Sequence, residues 1–230
     1  MKAMILAAGR GERMRPLTDN TPKPLLTIGG KYLILWVIDK LKQAGVTDLV
    51  VNVSHLAGHI EQALGDGAKF GVHIQYSFER EALETAGGIA WALPLLDDQP
   101  FLVVNSDVYS DYEFARLRIR AQTLAANRPA HLVLVNNPGH HPQGDFGLRD
   151  GVVTTDGERL TFSGIGAYHP ALFAGIARGE KARLAAQLAK PIAEGCVTGE
   201  HFLGEWNDVG TPLRLTDLDA RLRLREGDAS

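Results

Sequence analysis

The chain begins with the apolar stretch MKAMIL at residues 1–6, which runs directly into AAGRGERMRPLT at residues 7–18 and then into PKPL at residues 22–25. The first stretch has the length and apolar character of a buried β-strand. In the loop that follows, Gly9 and Gly11 remove the Cβ atoms that would keep a ligand away from the backbone, so N–H groups can face an anion. The same region supplies positive charge from Arg10, Arg13, Arg15 and Lys23. Together these features predict a loop that binds a polyphosphate.

Two familiar phosphate-binding loops do not describe this stretch. The sequence G-x-x-x-x-G-K-[ST] is absent, and the pair Gly9 and Gly11 lacks the third glycine of G-x-G-x-x-G. From the residues alone, the alternative to a ligand site is a glycine-rich turn that carries ordinary solvated basic side chains.

The composition limits the partners and the compartment of the protein. The net charge of −3 is spread without long blocks of one sign, so we expect no nucleic-acid partner. Cys196 is the only cysteine, which excludes an intramolecular disulfide and fits a reducing cytosol. The first apolar run is too short for a signal peptide, and no later stretch has the character of a membrane span. We therefore expect a cytoplasmic protein without a membrane partner; its oligomeric state stays open.

Apolar strands alternate with helical patterns through the first half of the chain. Strands are predicted at residues 48–53, 73–76, 101–105 and 132–135, and helices at 33–41, 59–64, 85–96 and 111–126. The strand at residues 48–53 is a continuous apolar run, which is typical of a sheet covered on both faces. The alternation predicts an α/β fold with a doubly wound, mixed but mostly parallel sheet, and ligands at the carboxyl ends of the strands.

The second half predicts a small β-rich elaboration followed by two helices. A hairpin with a type I′ turn at Asp150 and Gly151 joins residues 146–148 to 152–155, and further strands are predicted at 160–162 and 165–168. Residues 184–193 have a helical pattern, and Thr211 and Pro212 begin the last helix. In that helix the predicted inner face is Leu215, Leu218 and Leu222, and the arginines interpreted as solvated are Arg214, Arg221 and Arg225. Residues 226–230 are predicted to be a disordered end.

Two aspartates are candidate metal ligands. Asp107 follows the apolar strand 101–105, where an α/β sheet presents its ligands, and Asp208 precedes the last helix. Carboxylates that are distant in sequence can converge on one Mg²⁺, a hard cation that also accepts phosphate oxygens. Each aspartate has an alternative role as a helix cap or turn residue.

The string L-A-A-G-x-G-x-R-M-x-P-L-T followed by P-K-P-L resembles the signature of the sugar-phosphate nucleotidyltransferase family. Asp107 and Asp208 match the family's metal-binding aspartates, although Ser106 stands where members usually have glycine. The resemblance implies a Rossmann-like fold and one domain over residues 1–230. Within it, 1–135 would be mainly the nucleotide-binding half, 136–210 mainly the sugar-binding half and 211–225 the C-terminal helix. The implied reaction is attack of a sugar 1-phosphate on a nucleoside triphosphate, with Mg²⁺ and release of pyrophosphate.

The same resemblance implies a set of site residues. Those with catalytic roles are Lys23, Arg13 and Asp107, and the metal ligands are Asp107 and Asp208. Those that bind the nucleotide are Ala8, Gly9, Gly11, Glu12, Arg13, Lys23, Thr85 and Gly88. Those that bind the sugar are Asn105, Asp145, Gly147 and His140. Arg10 and Arg15 have weaker claims, because arginines of a surface loop are often solvated.

The choice of base and sugar also comes from resemblance. The segment LETAGG at residues 83–88 resembles the uridylyl- and guanylyltransferases of the family. Over nearly its whole length, the chain most resembles those family members that join UTP to a muramyl sugar 1-phosphate in bacterial cell-wall sugar recycling. A muramyl sugar carries a lactyl carboxylate, and we hypothesise that it pairs with His140, His141 or Arg149.

Alternative functions remain open from the sequence. The same chemistry would serve guanylyl transfer to mannose 1-phosphate or uridylyl transfer to another hexose. A different class of function is a nucleotide-sensing regulatory subunit without turnover, although Arg13, Lys23, Asp107 and Asp208 are all retained.

Overall fold

The computed structural model describes the backbone of residues 1–227 and the side chains of residues 1–225. The first half contains, in chain order, β1 (Lys2–Leu6), β2 (Thr27–Ile28), β3 (Lys31–Tyr32), α1 (Leu33–Gln43), β4 (Asp48–Val53), α2 (Ala57–Leu64), β5 (His73–Phe78), α3 (Glu84–Leu96), β6 (Phe101–Asn105), β7 (Val108–Ser110), α4 (Phe114–Ala121) and β8 (Ala130–Val135). The second half contains β9 (Phe146–Arg149), β10 (Val152–Thr154), β11 (Arg159–Tyr168), α5 (Leu184–Ala193), β12 (Val197–Phe202), β13 (Trp206–Asp208) and α6 (Pro212–Gly227).

One nine-stranded sheet contains strands of both halves, in the order β5-β4-β1-β6-β11-β8-β12-β10-β9. Parallel pairing joins β5, β4, β1 and β6, and β11 then runs antiparallel between β6 and β8. The mixed α/β sheet predicted from the sequence is confirmed, with its parallel strands concentrated in the first half. The chain starts at β1, moves to one side through β4 and β5, and returns to β6 on the other side. The carboxyl ends of β1 and β6 therefore form a topological switch point, where such sheets bind ligands.

Alternating side chains of β1 explain why the sheet is covered on both faces. Ala3 and Ile5 pack into the core cluster that includes Ile34 of α1, whereas Met4 packs into a second cluster with Ile89 of α3. A strand that buries both faces is apolar over its buried part, which is the pattern seen in residues 3–6. The doubly wound arrangement follows from this pattern.

Three local predictions were wrong. The helix expected over 111–126 is limited to α4, because residues 108–110 pair with β13 and Thr123 bonds the carbonyl of Arg120 at the helix end. The two strands expected at 160–162 and 165–168 are one strand, β11, whose register shifts between Phe162 and Gly166. Strand β12 was not predicted, because its sequence VTGEHF is mostly polar or glycine although the strand lies inside the sheet.

The hairpin and the last helix agree with the predictions in most respects. Asp150 and Gly151 both have positive φ, as a type I′ turn requires. Thr211 Oγ1 accepts a hydrogen bond of 3.3 Å from Arg214 N and so caps α6. Leu218 and Leu222 are buried in a third cluster with Met14 of the first loop. Arg221 and Arg225 are exposed, as interpreted from the sequence, although both contact Glu205. The interpretation of Arg214 as solvated was wrong, because its side chain is only 23% exposed and bonds Asp208.

The predicted disordered end falls mainly outside the part of the chain that the structure describes. Within the described part, no helix combines the length and the apolar character needed to cross a bilayer.

Candidate active site

A cavity of about 560 Å³ opens at the carboxyl ends of β1 and β6. It lies at the switch point of the sheet, where the first loop, the start of α3 and the end of β6 meet. Its lining includes most of the residues predicted to bind the nucleotide, namely Ala8, Gly9, Gly11, Glu12, Arg13, Lys23 and Thr85. Asn105 and Asp107 line the same cavity. Residues far apart in sequence are thus brought together at one edge of the sheet.

The two loop glycines have different structural roles. Gly11 has a φ of 64°, and a Cβ added there would lie 3.0 Å from Thr18 Cγ2 and 3.2 Å from Lys23 Cβ. The loop is fixed at this point by a hydrogen bond of 2.8 Å from Thr18 Oγ1 to the carbonyl of Gly11. A Cβ added at Gly9 would meet no protein atom within 4 Å. Gly11 is therefore required by the fold of the loop, whereas the space beside Gly9 is open to a ligand.

Lys23 and Asp107 form an ion pair within the cavity lining. The Lys23 ammonium donates to Asp107 Oδ2, and the two side chains are only 13% and 24% exposed. Lys23 begins a short 3₁₀ turn in the P-K-P-L segment, and Asp107 lies two residues beyond the end of β6. A cation and an anion whose contact with water is this restricted interact more strongly than a surface pair.

Asp208 reaches the same place by strand pairing. The short strand β13 runs antiparallel to β7, so Asp208 lies opposite Val108, the neighbour of Asp107. The N–H of Val209 also donates to the carbonyl of Asp107 across 2.9 Å. Asp208 Oδ1 accepts from Arg214 Nη1 at 2.6 Å and lies 3.1 Å from His140 Nε2. Strand pairing thus brings together the backbones of the two predicted metal ligands, which are 101 positions apart in the chain. Asp107 lines the main cavity, whereas Asp208 lines a smaller one of about 230 Å³.

The donor atoms at this place fit a magnesium ion. Among the side chains of residues 1–225, no three from His, Cys, Asp or Glu form a metal-binding group. Mg²⁺ commonly takes one or two carboxylates and completes its shell with water and substrate phosphates, so the pair Asp107 and Asp208 is a sufficient protein contribution. In the present arrangement Lys23 and Arg214 neutralise these two carboxylates.

A buried polar network supports the first loop, and the sequence analysis missed it. Asn52 Oδ1 accepts from Ala7 N at 2.7 Å, and Asn52 Nδ2 donates to Glu79 Oε1 at 2.7 Å. Glu79 Oε2 accepts from Leu83 N at 2.9 Å, which connects the network to the start of α3. Burial raises the pKa of Glu79 above its ordinary value, with the bonds from Asn52 and Leu83 opposing the rise. One signal was available, because Asn52 is a polar residue near the end of the apolar run DLVVNV.

Gly88 lies against this network and is not among the residues that line the cavity. A Cβ at Gly88 would be 2.6 Å from Glu79 Oε1 and 3.1 Å from Asn52 Nδ2. The glycine is thus needed for the close approach of α3 to β4.

The predicted sugar-binding residues lie farther apart than the predicted nucleotide-binding residues, and only one of them lines the cavity. Asn105 lines the cavity, whereas Asp145, Gly147 and His140 do not. Asp145 Oδ2 accepts from Phe162 N at 2.8 Å, and its Oδ1 lies 3.1 Å from His141 Nε2. A Cβ at Gly147 would be 2.1 Å from the carbonyl of Asp156, so packing alone requires glycine there. His140 lies beside Asp208, as described above.

Sequence comparisons agree with this geometry. The sequence model described as "Nucleotidyl transferase" matches residues 2–162. A protein of Neisseria meningitidis serogroup B named N-acetylmuramate alpha-1-phosphate uridylyltransferase is 54% identical over 225 residues, which cover 96% of this chain and 97% of that protein. The chain therefore belongs to the nucleotidyl transferase family.

Two further relatives cover the chain differently. Mannose-1-phosphate guanyltransferase of Neurospora crassa is 47% identical over 120 residues, 51% of this chain and 33% of that protein. A solved structure of a Bacillus anthracis protein named as a glucose-1-phosphate thymidylyltransferase superposes with a TM-score of 0.85 and 23% identity, covering 97% of this chain and 95% of that one. The structural likeness shows the fold.

Proposed function

We propose that the protein joins UTP and N-acetylmuramate α-1-phosphate to give UDP-N-acetylmuramate and pyrophosphate. The observation that carries the proposal is the ion pair of Lys23 and Asp107 in the cavity at the switch point, with Asp208 held next to it. Fixed positive charge beside a pair of hard oxygen ligands suits two phosphate-bearing reactants.

The reaction requires no general base. An oxygen of the sugar phosphate is already an anion; it attacks the α-phosphorus of UTP and forms the new P–O bond. The bond from the α-phosphorus to the oxygen that bridges it to the β-phosphorus breaks, and pyrophosphate leaves with that oxygen and the electron pair. The protein must hold two mutually repelling anions in line and neutralise their charge.

Each part of the first loop has a role in this scheme. The backbone N–H groups of residues 9–11 and the guanidinium of Arg13 bind the β- and γ-phosphates. Lys23 contacts the α-phosphate or the incoming sugar phosphate. Ala8 and Thr85 contact the base and ribose, and the Asn52 network keeps the Ala7 backbone in place beneath them.

Asp107 and Asp208 would hold Mg²⁺ at the edge of the cavity, and a bound Mg²⁺ neutralises the negative charge of phosphate groups. Lys23 and Arg214 neutralise the same carboxylates in its place. The negative charges of Asp107 and Asp208 are therefore neutralised both with and without the metal ion.

The choice of substrates rests on the extent of the likeness. The relative that is named for N-acetylmuramate 1-phosphate matches almost the whole chain, including the sugar-binding half. The mannose-1-phosphate guanyltransferase relative matches about half of the chain. We place the reaction in the cytosol, as a salvage step for a cell-wall sugar; the single cysteine, Cys196, fits that compartment.

A substrate panel tests the proposal. Purified protein with Mg²⁺ is given UTP, GTP, dTTP or ATP together with the 1-phosphate of N-acetylmuramate, N-acetylglucosamine or mannose, and pyrophosphate release is measured. UTP with N-acetylmuramate 1-phosphate should give the highest kcat/KM. A higher value for GTP with mannose 1-phosphate would replace the proposal by guanylyl transfer. Absence of pyrophosphate in every combination would leave the nucleotide-sensing alternative.

A further inference from the structure

Arg214 lies where three parts of the molecule meet. It is in the first turn of α6, and its Nη1 bonds Asp208 of β13 at 2.6 Å. The same nitrogen lies 2.7 Å from Nε2 of His140, which belongs to the loop between β8 and β9. The side chain is 23% exposed, so its charge is partly shielded from water. A residue interpreted from sequence as solvated is thus the link between a candidate metal ligand and the sugar-binding half.

The Arg214 guanidinium packs against the backbone of Gly210. A Cβ added at Gly210 would lie 2.2 Å from Arg214 Nη2, so a side chain there would displace the guanidinium from this position. Gly210 lines the main cavity, whereas Arg214 lines a neighbouring cavity of about 230 Å³ together with His140 and Asp208. Arg214 therefore lies at the boundary between the place of the phosphates and a smaller space that faces the sugar-binding half.

The other basic side chains of this region contact carboxylates that are not candidate metal ligands. His141 lies against Asp145, Arg149 is 3.6 Å from Asp156, and Arg221 contacts Glu205. Arg149 is also largely exposed, which weakens it as an anion site. Arg214 differs because its partner, Asp208, is a candidate metal ligand.

The Arg214 guanidinium also has N–H groups, on Nη2, that donate no hydrogen bond to the described residues. The hydrogen bonds that Arg214 makes with described residues come from Nε and Nη1, and they go to Thr211, Asp208 and His140. A guanidinium is a planar fork that binds a carboxylate through two parallel hydrogen bonds. If Asp208 held a divalent ion, this fork would be free to bind another carboxylate.

We propose that Arg214 recognises the carboxylate of the sugar substrate, with His140 as its neighbour. The inference rests on the proposed function, in which the sugar 1-phosphate bears a lactyl carboxylate. Asp208 occupies the guanidinium in the absence of substrate, and the lactyl carboxylate replaces it in the complex. Of the three residues predicted from sequence to bind the lactyl carboxylate, only His140 lies beside this site. Arg214 makes the principal contact with the carboxylate.

The competing explanation is that Arg214 only fastens α6 to β13. The two explanations differ for a pair of sugars, N-acetylmuramate 1-phosphate and N-acetylglucosamine 1-phosphate, which differ by the lactyl group alone. A fastening role affects both sugars alike, whereas a recognition role affects only the first. Arg214→Gln removes the charge and Arg214→Lys keeps it without the fork. Arg223→Gln is the matched control, because Arg223 lies on the same helix and contacts Asp219 instead.

The experiment measures both kinetics and binding for these variants. Arg214→Gln should lower kcat/KM for the muramate sugar, mainly through KM, on the order of tenfold more than for the glucosamine sugar, with Arg214→Lys intermediate and Arg223→Gln unchanged. Calorimetric titration of each sugar phosphate with Mg²⁺ and without UTP should show the same ratio, and thermal melting checks that the variants fold. Equal losses for both sugars would overturn the role of Arg214. A wild-type protein that does not use the muramate sugar would instead overturn the proposed function.

Discussion

Asn52 Nδ2 donates a hydrogen bond of 2.7 Å to Glu79 Oε1 beside the first loop, and both side chains are almost completely buried. Asn52 also accepts from the Ala7 backbone, and Glu79 from the Leu83 backbone. The two loops that flank the cavity are therefore connected through two side chains that have little contact with solvent to replace a lost partner.

Replacing Asn52 should damage both stability and nucleotide binding. Asn52→Leu leaves Ala7 N–H and one Glu79 oxygen without partners, which should cost about 1–3 kcal/mol in the free energy of unfolding. UTP affinity should fall as well, because the loop backbone loses its anchor. Urea denaturation and calorimetric titration with UTP measure the two effects. Gln75→Ala, an exposed polar site on the neighbouring β5, is the control. Unchanged stability in Asn52→Leu would contradict the anchoring role.

The two loop glycines should respond differently to the same substitution. Gly11→Ala places a side chain at positive φ and close to Thr18, so the protein should lose about 1–2 kcal/mol of stability. Gly9→Ala meets no protein atom, so stability should be kept while UTP binding weakens. Chemical denaturation and UTP titration of the two variants provide the test. If Gly9→Ala bound UTP as tightly as the wild type, the open space beside Gly9 would not be where the nucleotide lies.

The two aspartates should act on the same ion. Chelation should abolish pyrophosphate release, and added Mg²⁺ should restore it. Asp107→Asn and Asp208→Asn should each raise the Mg²⁺ concentration for half-maximal rate by on the order of tenfold or more, because an amide is a weaker ligand than a carboxylate. Asp219→Asn serves as the comparison, because this α6 carboxylate bonds Gly29 N and lines neither cavity. A normal Mg²⁺ requirement in both site variants would show that the ion is held elsewhere.

Glu200 should make the fold sensitive to acid. His131 has the largest effect in lowering the pKa of Glu200 from 4.5 to about 2, with Tyr112 and Arg116 adding to it and burial opposing. His131 Nε2 lies 3.6 Å from Glu200 Oε1. A carboxyl whose pKa is lowered by folding stabilises the folded state above pH 4.5, and this stability is lost as the pH falls towards about 2.

Glu200→Gln tests that linkage. The wild type should exceed this variant in unfolding free energy by at most roughly 3 kcal/mol near neutral pH, and the difference should shrink between about pH 5 and about pH 3. Urea denaturation across that range gives the values. A difference that stays constant with pH would show that Glu200 contributes by packing and not by its charge.

The sequence predicted the parts of the molecule that follow from local patterns. The apolar runs of β1, β4 and β6 identified the doubly wound sheet, and the loop string around Gly9 and Gly11 identified the family. Contacts that depend on packing between distant elements were not predictable. Strand β12, which contains Glu200, was not predicted, and Arg214 was interpreted as solvated. The partners of these two side chains, Arg116 and Asp208, lie on other elements, and nothing in the local sequence indicates them.

The distance between Asp107 and Asp208 in the chain illustrates the same limit. Their residue types suggested a shared ligand, but the pairing of β7 with β13 that brings them together involves strands of only three residues. Strands so short carry no periodicity from which pairing could be inferred.

The most direct test of the account follows the α-phosphate itself. Protein with Mg²⁺ and N-acetylmuramate 1-phosphate is given UTP labelled at the α-phosphorus, and the products are separated. Wild-type protein should transfer the label to a UDP-sugar, and Lys23→Met should do so on the order of 100-fold more slowly, while the control Lys69→Met keeps the wild-type rate. Label that never leaves UTP, or a Lys23→Met variant as fast as the wild type, would contradict the account.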